Sequence, residues 1–438
     1  MKIFYSILFV SFFVSCSQKT KEPPIMQVAK DTVDTEMDFP LSSLTEAQLY
    51  DKILGTLVGS AIGDAMGAPT EMWPQNRITR EYGFVDSLDN MIRTPSPEGT
   101  WDYNLPAGGT TDDTRWKVLL SNFFIAKTPL FYQSNEQLPV AFSNFLVDQY
   151  QDELDGLKQI DSFDPAPFEQ QMLRVSWLQE WAMVAKPFAA QDLIEYNDAL
   201  SRFYGGEMVC AGLLYAPLLG AYYPESPSAA YHKGYELAIF DIGYARDISA
   251  LSAAMVAAAF NPKASKQSVI EVLKSEDTEK YFKSRLVGRI SYRIYLDALY
   301  IAETAKNVEN EWLLNGEDSI AARKAGMEKA FQLLSEKNQD YPFHVGEIHL
   351  INLTALLVND FAFRETMAFI VNYGRDNDTV AAVTGAILGA YYGFESLPID
   401  LKTKVLSTNK NKLGIDLENI AAKLSAQLIS NGIIQKTM

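Results

Sequence analysis

Four glycines recur at every fourth position, Gly55, Gly59, Gly63 and Gly67, and the pattern returns late in the chain as Gly385, Gly389 and Gly393. Fourfold spacing places residues on one face of a helix. A glycine inside a helix costs about 1 kcal/mol relative to alanine, so two faces this rich in glycine must gain close backbone approach in return. The spacing predicts two central, buried helices packed almost touching. Ala382, Ala386 and Ala390 widen the second small-residue face. These glycines are packing residues; what matters for function is what they position at the helix ends.

The rest of the chain carries the same period. Leu49, Ile53, Leu57 and Val58 recur at helical spacing, as do Trp116, Leu119, Leu120 and Phe123. Further helices are expected over 172–184, 228–239, 250–260, 266–275, 296–305, 319–336, 350–358, 364–373, 379–393 and 417–430. Alternating strands with hairpin turns are scarce, and no solenoid repeat is present. The fold class expected is all-α, a single-domain multi-helix bundle over residues 45–438, with Thr45 or Ser43 capping its first helix. The acid- and proline-richer stretch 133–167 reads as an insertion or long connection.

The N-terminus reads as an address. Lys2 precedes a run from Ile3 to Val14 that is apolar except for serines, then Ser15-Cys16. That run is shorter than the roughly 20 residues a membrane-spanning helix needs. With its positive start it reads as a secretory leader over 1–16. Phe13-Val14-Ser15-Cys16 resembles a lipobox, the motif at which bacterial lipoprotein leaders are cut. The expectation is a lipid on Cys16, attachment to a membrane of the bacterial envelope on the outer-membrane or periplasmic face, and a polar tether over 17–44.

Composition narrows the chemistry. The formal net charge of −17 disfavours a nucleic-acid partner, whose phosphates such a chain repels. Only two cysteines (Cys16 and Cys210) and three histidines (His232, His344 and His349) exist, which leaves no closely spaced Cys/His set for structural zinc. His344 and His349 are five apart, unsuited to a helical metal pair, and read as cleft wall or core. Trp177 and Trp181, four apart, read as core.

Acids and glycines concentrate in three segments: Gly63-Asp64-Ala65-Met66-Gly67-Ala68-Pro69-Thr70-Glu71, Gly108-Gly109-Thr110-Thr111-Asp112-Asp113-Thr114, and Asn372-Tyr373-Gly374-Arg375-Asp376-Asn377-Asp378-Thr379. Acids at a helix start act as caps and favour the positive dipole end. Capping alone does not call for paired aspartates in two separate segments. If the second and third segments face each other, four carboxylates share one small space. Like charges at that density require cations, and hard oxygen donors suit magnesium, manganese or calcium rather than zinc.

The three segments, in this order and followed by an Ala/Gly helix, resemble the ADP-ribosylglycohydrolase family, of the dinitrogenase reductase-activating glycohydrolase and ADP-ribosylhydrolase type. The resemblance runs from Gly55 to Gly393. It implies a compact all-α fold with two Mg2+ ions, Mn2+ being an alternative, at the base of a cleft. By position, Thr111, Asp112, Asp113, Asp376, Asp378 and Thr379 match the family's metal ligands. Glu71 and Asp113 match as catalytic candidates, to activate a water or protonate the leaving group. Asp64 is grouped with the residues around the substrate, in a structural or supporting capacity. The implied reaction is hydrolysis of an ADP-ribosyl or related ribosyl N- or O-glycosidic bond, on a small-molecule or protein-linked ribosyl substrate. The metals would orient the ribose hydroxyls and a water, and the anomeric carbon would pass through a cation-like transition state.

Three departures bear on the substrate. The late family motif usually reads Gly-Gly-Asp-Thr-Asp-Thr, and here Arg375 stands at its second position. Either Arg375 contacts a phosphate or acidic group of the substrate, or it pairs with a nearby carboxylate. The family's Gly-Asn-Gly loop has its nearest equivalent in Tyr204-Gly205-Gly206-Glu207-Met208, so Gly205 and Gly206 are substrate-binding candidates. Its Thr-His pair has only Phe240-Asp241-Ile242-Gly243-Tyr244, and Tyr244-Ala245-Arg246-Asp247 is a candidate cleft lining. Alternatives to the leading activity are a hydrolase of another extracellular glycoside or nucleotide, a dimetal phosphoesterase, and a binding or structural protein on the same fold without turnover.

Overall fold

The two glycine ridges meet. The Glu46–Gly67 helix runs antiparallel to the Asn377–Tyr392 helix, with Gly55 against Gly389, Gly59 against Gly385, and Gly63 against Ala381. A Cβ at any of these three glycines would strike the carbonyl of its opposite number. The register carries Gly67, at the end of the first helix, onto the backbone of Asp378, at the start of the second. The far ends are tied by Lys52, whose Nζ donates to the carbonyls of Ala390 (2.6 Å) and Ala259 (2.9 Å). One cation thus serves the carboxyl-terminal turns of two helices, where the dipole is negative.

The computed structural model describes residues 41–92, 104–131, 137–159 and 165–434. Seventeen α-helices run through them, and their one sheet is a two-residue antiparallel pairing of Met91–Ile92 with Asn104–Leu105. The class is all-α. The glycine-ridged pair is wrapped by the alanine-rich Ala245–Ala259 helix and the Val345–Val358 helix, both almost wholly buried. Inside that shell Arg289 closes a two-point ion pair on Asp247 (2.7 and 3.0 Å), with both side chains sealed from solvent. Tyr231 donates a further hydrogen bond to Asp247. Asp247 therefore belongs to the core, which corrects its placement along the cleft.

Thr45 forms a capping box with Gln48 and starts the first helix. Just before it, Ser42 donates its backbone N–H to the Ile433 carbonyl (2.7 Å), and the hydroxyls of Ser42 and Ser43 bond to Glu225. Residues 42–43, expected to belong to the tether, are thus held against the fold. The leader, Cys16 and tether residues 17–40 lie outside the described residues. Within the described part of 133–167, expected to be a connection, a helix spans Leu138–Lys158 with Pro139 in its first turn. The chain's helical period continues there because proline fits a helix start. No helix among the described residues is long and apolar enough to cross a membrane.

Candidate active site

The site is built where the glycine-ridged pair ends. Asp64, in the last turn of the first helix and fully buried, accepts hydrogen bonds from the backbone N–H groups of Thr111 (2.9 Å) and Thr114 (3.0 Å) and from their hydroxyls (2.8 and 2.6 Å). These are the orphan donors of a helix start, so Asp64 caps the Asp112–Phe131 helix from a distant part of the chain. Burial raises the Asp64 pKa, and the threonine donors and Lys117 oppose that rise. Asp64, by sequence a residue near the substrate in a supporting capacity, does not line the cleft, and all its described bonds serve this cap.

Adjacent residues on a helix point about 100° apart, and this separates the paired aspartates. Asp112 faces the cleft. Asp113 turns inward, where its carboxylate accepts from the Thr379 hydroxyl (3.0 Å) and lies 3.5 Å from Lys117 Nζ. Lys117 also donates to the carbonyls of Asp113 (3.0 Å) and Leu214 (2.9 Å). Burial, the largest cause, pushes Asp113 up to about 8, with Asp112 and Asp64 adding to it against the pull of Lys117. Asp113, expected as a catalytic candidate, therefore sits one layer beneath the cleft surface.

The second and third acidic segments do face each other. Besides the Thr379–Asp113 bond, the Thr111 hydroxyl lies 3.5 Å from Asp378. Asp376 precedes the second glycine-ridged helix and Asp378 lies in its first turn; both are buried. Glu71 follows the Ala68–Thr70 turn on extended backbone. It is brought to the aspartates by a short backbone pairing: Met72 N–H donates to the Arg375 carbonyl (2.7 Å), and Arg375 N–H donates to the Trp73 carbonyl (2.9 Å). Carboxylate oxygens of Glu71, Asp376 and Asp378 all fall within 4.8 Å of one another. Burial first, then the charge of Glu71, raises Asp376 and Asp378 well above the ordinary carboxylate range.

This donor set fits a hard divalent cation. It offers carboxylate and hydroxyl oxygens without nitrogen or sulfur in the triad, the chemistry that selects magnesium, manganese or calcium. Three carboxylates crowded in a buried place are costly without a positive charge between them. Glu71, Asp376 and Asp378 would hold such an ion, with Asp112 and Thr379 lining the same cleft.

The cleft is narrow, with a cavity of about 50 Å³ at its floor. Its acidic floor is faced by Trp181, Tyr204 and Phe343, with Cys210 at its base. Trp181 is wedged against Trp116 (ring centroids 4.0 Å apart) and Phe240 (4.6 Å). The Cys210 thiol points at Asp376 (3.8 Å), and burial pushes its pKa up.

Other expected residues fall elsewhere. Gly205 (φ 71°) and Gly206 (φ 78°) form a left-handed turn that presents Tyr204, itself at φ 46°, to the cleft. The glycines shape that wall rather than line it. Arg375 does not line the cleft: its Nε and Nη2 grip the two oxygens of Glu347 (2.6 and 2.8 Å), and Nη2 also reaches the Gln339 carbonyl (2.8 Å). Of the two readings of Arg375, the ion pair is the one present. Asp241 accepts from Gly212 N–H and Ser249 Oγ. His344 caps the Val345–Val358 helix and His349 is buried within it. The Trp177 side chain lies outside the described residues. Trp181, read as core, is both core and cleft wall; Tyr204 lies in the loop expected to shape the cleft, whereas nothing in the sequence marks Phe343 or Cys210 as cleft residues. Only the Gly-Gly after Tyr204 signalled a turn there.

Residues 45–432 match the family described as ADP-ribosylglycohydrolase. Among curated relatives, the uncharacterized protein YegU of Escherichia coli (strain K12) is 50% identical over 78 residues, 18% of this chain and 22% of that protein. The ADP-ribosyl-[dinitrogen reductase] glycohydrolase of Rhodospirillum rubrum is 32% identical over 87 residues, 20% of this chain and 26% of that protein. The matched stretches thus span about a quarter of those relatives. A solved structure titled ADP-ribosylglycohydrolase-related protein complex superposes with a TM-score of 0.51 at 17% identity, over 87% of this chain and 99% of that one. At that identity the likeness speaks to the fold.

Proposed function

The chain belongs to the ADP-ribosylglycohydrolase family, and from that premise we propose that it hydrolyses the glycosidic bond of an ADP-ribosyl or related ribosyl conjugate in a reaction that depends on a divalent cation, Mg2+ or Mn2+. The observation that carries this reading is the convergence of Glu71, Asp376 and Asp378 within 4.8 Å at the floor of an aromatic-walled cleft. Asp112 and Thr379, which line the same cleft, would with Thr111 complete the oxygen donors for a pair of ions, with Asp113 supporting them from below.

When bound, the cations would supply Lewis acidity and an anchor for vicinal hydroxyls of a ribose. The chain's own residues do the rest. Asp64 fixes the start of the Asp112–Phe131 helix, so Asp112 meets the substrate from a rigid element. Trp181, Tyr204 and Phe343 exclude water and offer flat apolar surface to the leaving group or base. Glu71 is the half-buried member of the acidic triad; with one carboxylate oxygen toward the cation, its other oxygen would accept a proton from the attacking water as positive charge develops at the anomeric carbon. Asp113, sealed beneath the floor, is the weaker candidate for that proton.

The sequence also motivates a location. The lipobox-like Phe13-Val14-Ser15-Cys16 supports a lipid anchor on Cys16 at the bacterial envelope. There the substrates are extracytoplasmic ribosyl conjugates or nucleotides.

Product analysis tests the activity. A panel of ADP-ribosyl and ribosyl conjugates, incubated with Mg2+ and analysed by mass spectrometry, should release free ADP-ribose or another ribosyl product, and chelation should stop it. Release of inorganic phosphate instead would mark a phosphoesterase. No product from any conjugate, with cation binding intact, would favour a binding role.

A further inference from the structure

Arg375 stands in the left-handed region, at φ 65°, immediately after Gly374 at φ 88°. Glycine adopts this conformation without steric cost, whereas a long side chain resists it. Something must hold Arg375 there, and its side chain shows what does. The guanidinium closes a two-point ion pair on Glu347, in the first turn of the Val345–Val358 helix, whose side chain is 1% exposed. Glu347 Oε2 also accepts the Gln339 N–H (2.7 Å). The backbone of the same Arg375 donates to Trp73 and accepts from Met72, so it stitches the Glu71 segment against Asp376.

We propose that Arg375 and Glu347 form a positioning pair: Glu347 holds Arg375 in its left-handed turn, and the peptide of Arg375 sets Glu71 against Asp376 and Asp378, so that the affinity of the acidic triad for a divalent cation depends on a residue that never touches the ion. This rests on the cation reading given above. Arg375 is neither a ligand nor a substrate contact in this account. The pair also anchors one end of the segment that carries Phe343 into the cleft, since Gln339 is bonded to both partners.

The device has a specific signature. Glu347→Gln removes the charge that restrains Arg375 and leaves a strained arginine in the turn. Adding Arg375→Gly to that variant removes both the strain and the unpaired cation, because glycine suits φ 65°. The double variant should therefore bind a cation better than the single variant from which it was made.

The test is Mn2+ binding to the full chain without substrate, followed by calorimetry or by electron paramagnetic resonance of free Mn2+, with circular dichroism to establish folding. Glu347→Gln should weaken Mn2+ at least tenfold, and Glu347→Gln/Arg375→Gly should return to within about threefold of the unaltered chain. Arg375→Lys, which keeps the charge but loses the fork, should fall between. Equal Mn2+ affinity in Glu347→Gln and the unaltered chain would overturn the proposal, as would a double variant no better than the single. Loss of fold in both Glu347→Gln and Arg375→Lys would also overturn it, since the pair would then support the core and not the triad. If the unaltered chain binds no Mn2+, the cation reading itself falls, and the positioning role falls with it.

Discussion

Asp64 Oδ1 lies 2.8 Å from the Thr111 hydroxyl and 2.9 Å from the Thr111 backbone nitrogen, joining the end of one glycine-ridged helix to the start of the helix that carries Asp112 and Asp113. Asparagine at this position would present an NH2 group to neighbours that are themselves donors. Hydrogen bonds to a charged acceptor contribute about 1.5–3 kcal/mol each, and rearrangement recovers part of that. Asp64→Asn should lower unfolding stability by about 2–4 kcal/mol in urea titrations and weaken Mn2+ binding in parallel. Unchanged stability would mean that the cap contributes little.

The ridge contact sets a second expectation. An alanine at position 59 gains about 1 kcal/mol of helix propensity, but its Cβ would collide with the Gly385 carbonyl. Overpacking of backbone against backbone outweighs that gain, and Gly59→Ala should destabilise by roughly 2–3 kcal/mol net. The measurement is the denaturant midpoint; a stabilised variant would contradict the close approach.

Much of this was legible in the sequence. Fourfold glycine spacing on two segments gave the buried helix pair, and the Asp-Asp and Asp-x-Asp-Thr clusters gave the acidic floor. What stayed hidden was rotational and long-range. The sequence grouped Asp112 with Asp113, whereas helix geometry sends one to the cleft and the other to Lys117. It offered two readings of Arg375, and only the fold brings Glu347, 28 residues earlier, to its guanidinium. Trp181, Tyr204 and Phe343 come from three separate segments, so no local pattern announces that they share a wall. The stretch 133–167 reads as an insertion or connection from its acid and proline content, yet Leu138–Lys158 within it is helical, since Pro139 sits in the first turn, where a helix tolerates it.

His349 provides a pH dependence of known sign. It is fully buried, its Nε2 has no hydrogen-bond partner among the described residues, and burial lowers its pKa to about 4, with Arg289 lowering it further and Asp247 opposing. The unfolded chain takes up this proton first, near the ordinary histidine pKa of about 6.5. Its contribution is therefore complete above that value and is lost as pH falls toward 4, by about 3 kcal/mol at most. Asp241, pushed up to about 6 by burial, acts in the opposite sense: stability falls as pH rises from its unfolded value through 6. The two partly cancel in the unaltered chain. His349→Leu removes one of them, so it should lose less stability than the unaltered chain on acidification from pH 7 to 4.5. Parallel profiles for the two would refute the assignment.

For the proposed anchor, Cys16→Ala should move the protein from the membrane fraction to the soluble fraction of the producing bacterium and abolish incorporation of labelled fatty acid. Continued membrane association with the label absent would point to an uncut leader instead.

The central claim is that Glu71, Asp376 and Asp378 hold the cation on which hydrolysis depends. Its most direct test is anomalous scattering from crystals grown with Mn2+. The account predicts a strong anomalous peak within coordination distance of all three carboxylates, absent from Asp376→Asn/Asp378→Asn crystals. Mn2+-dependent turnover of a ribosyl conjugate with no peak at the triad, or with its only peak elsewhere, would contradict it.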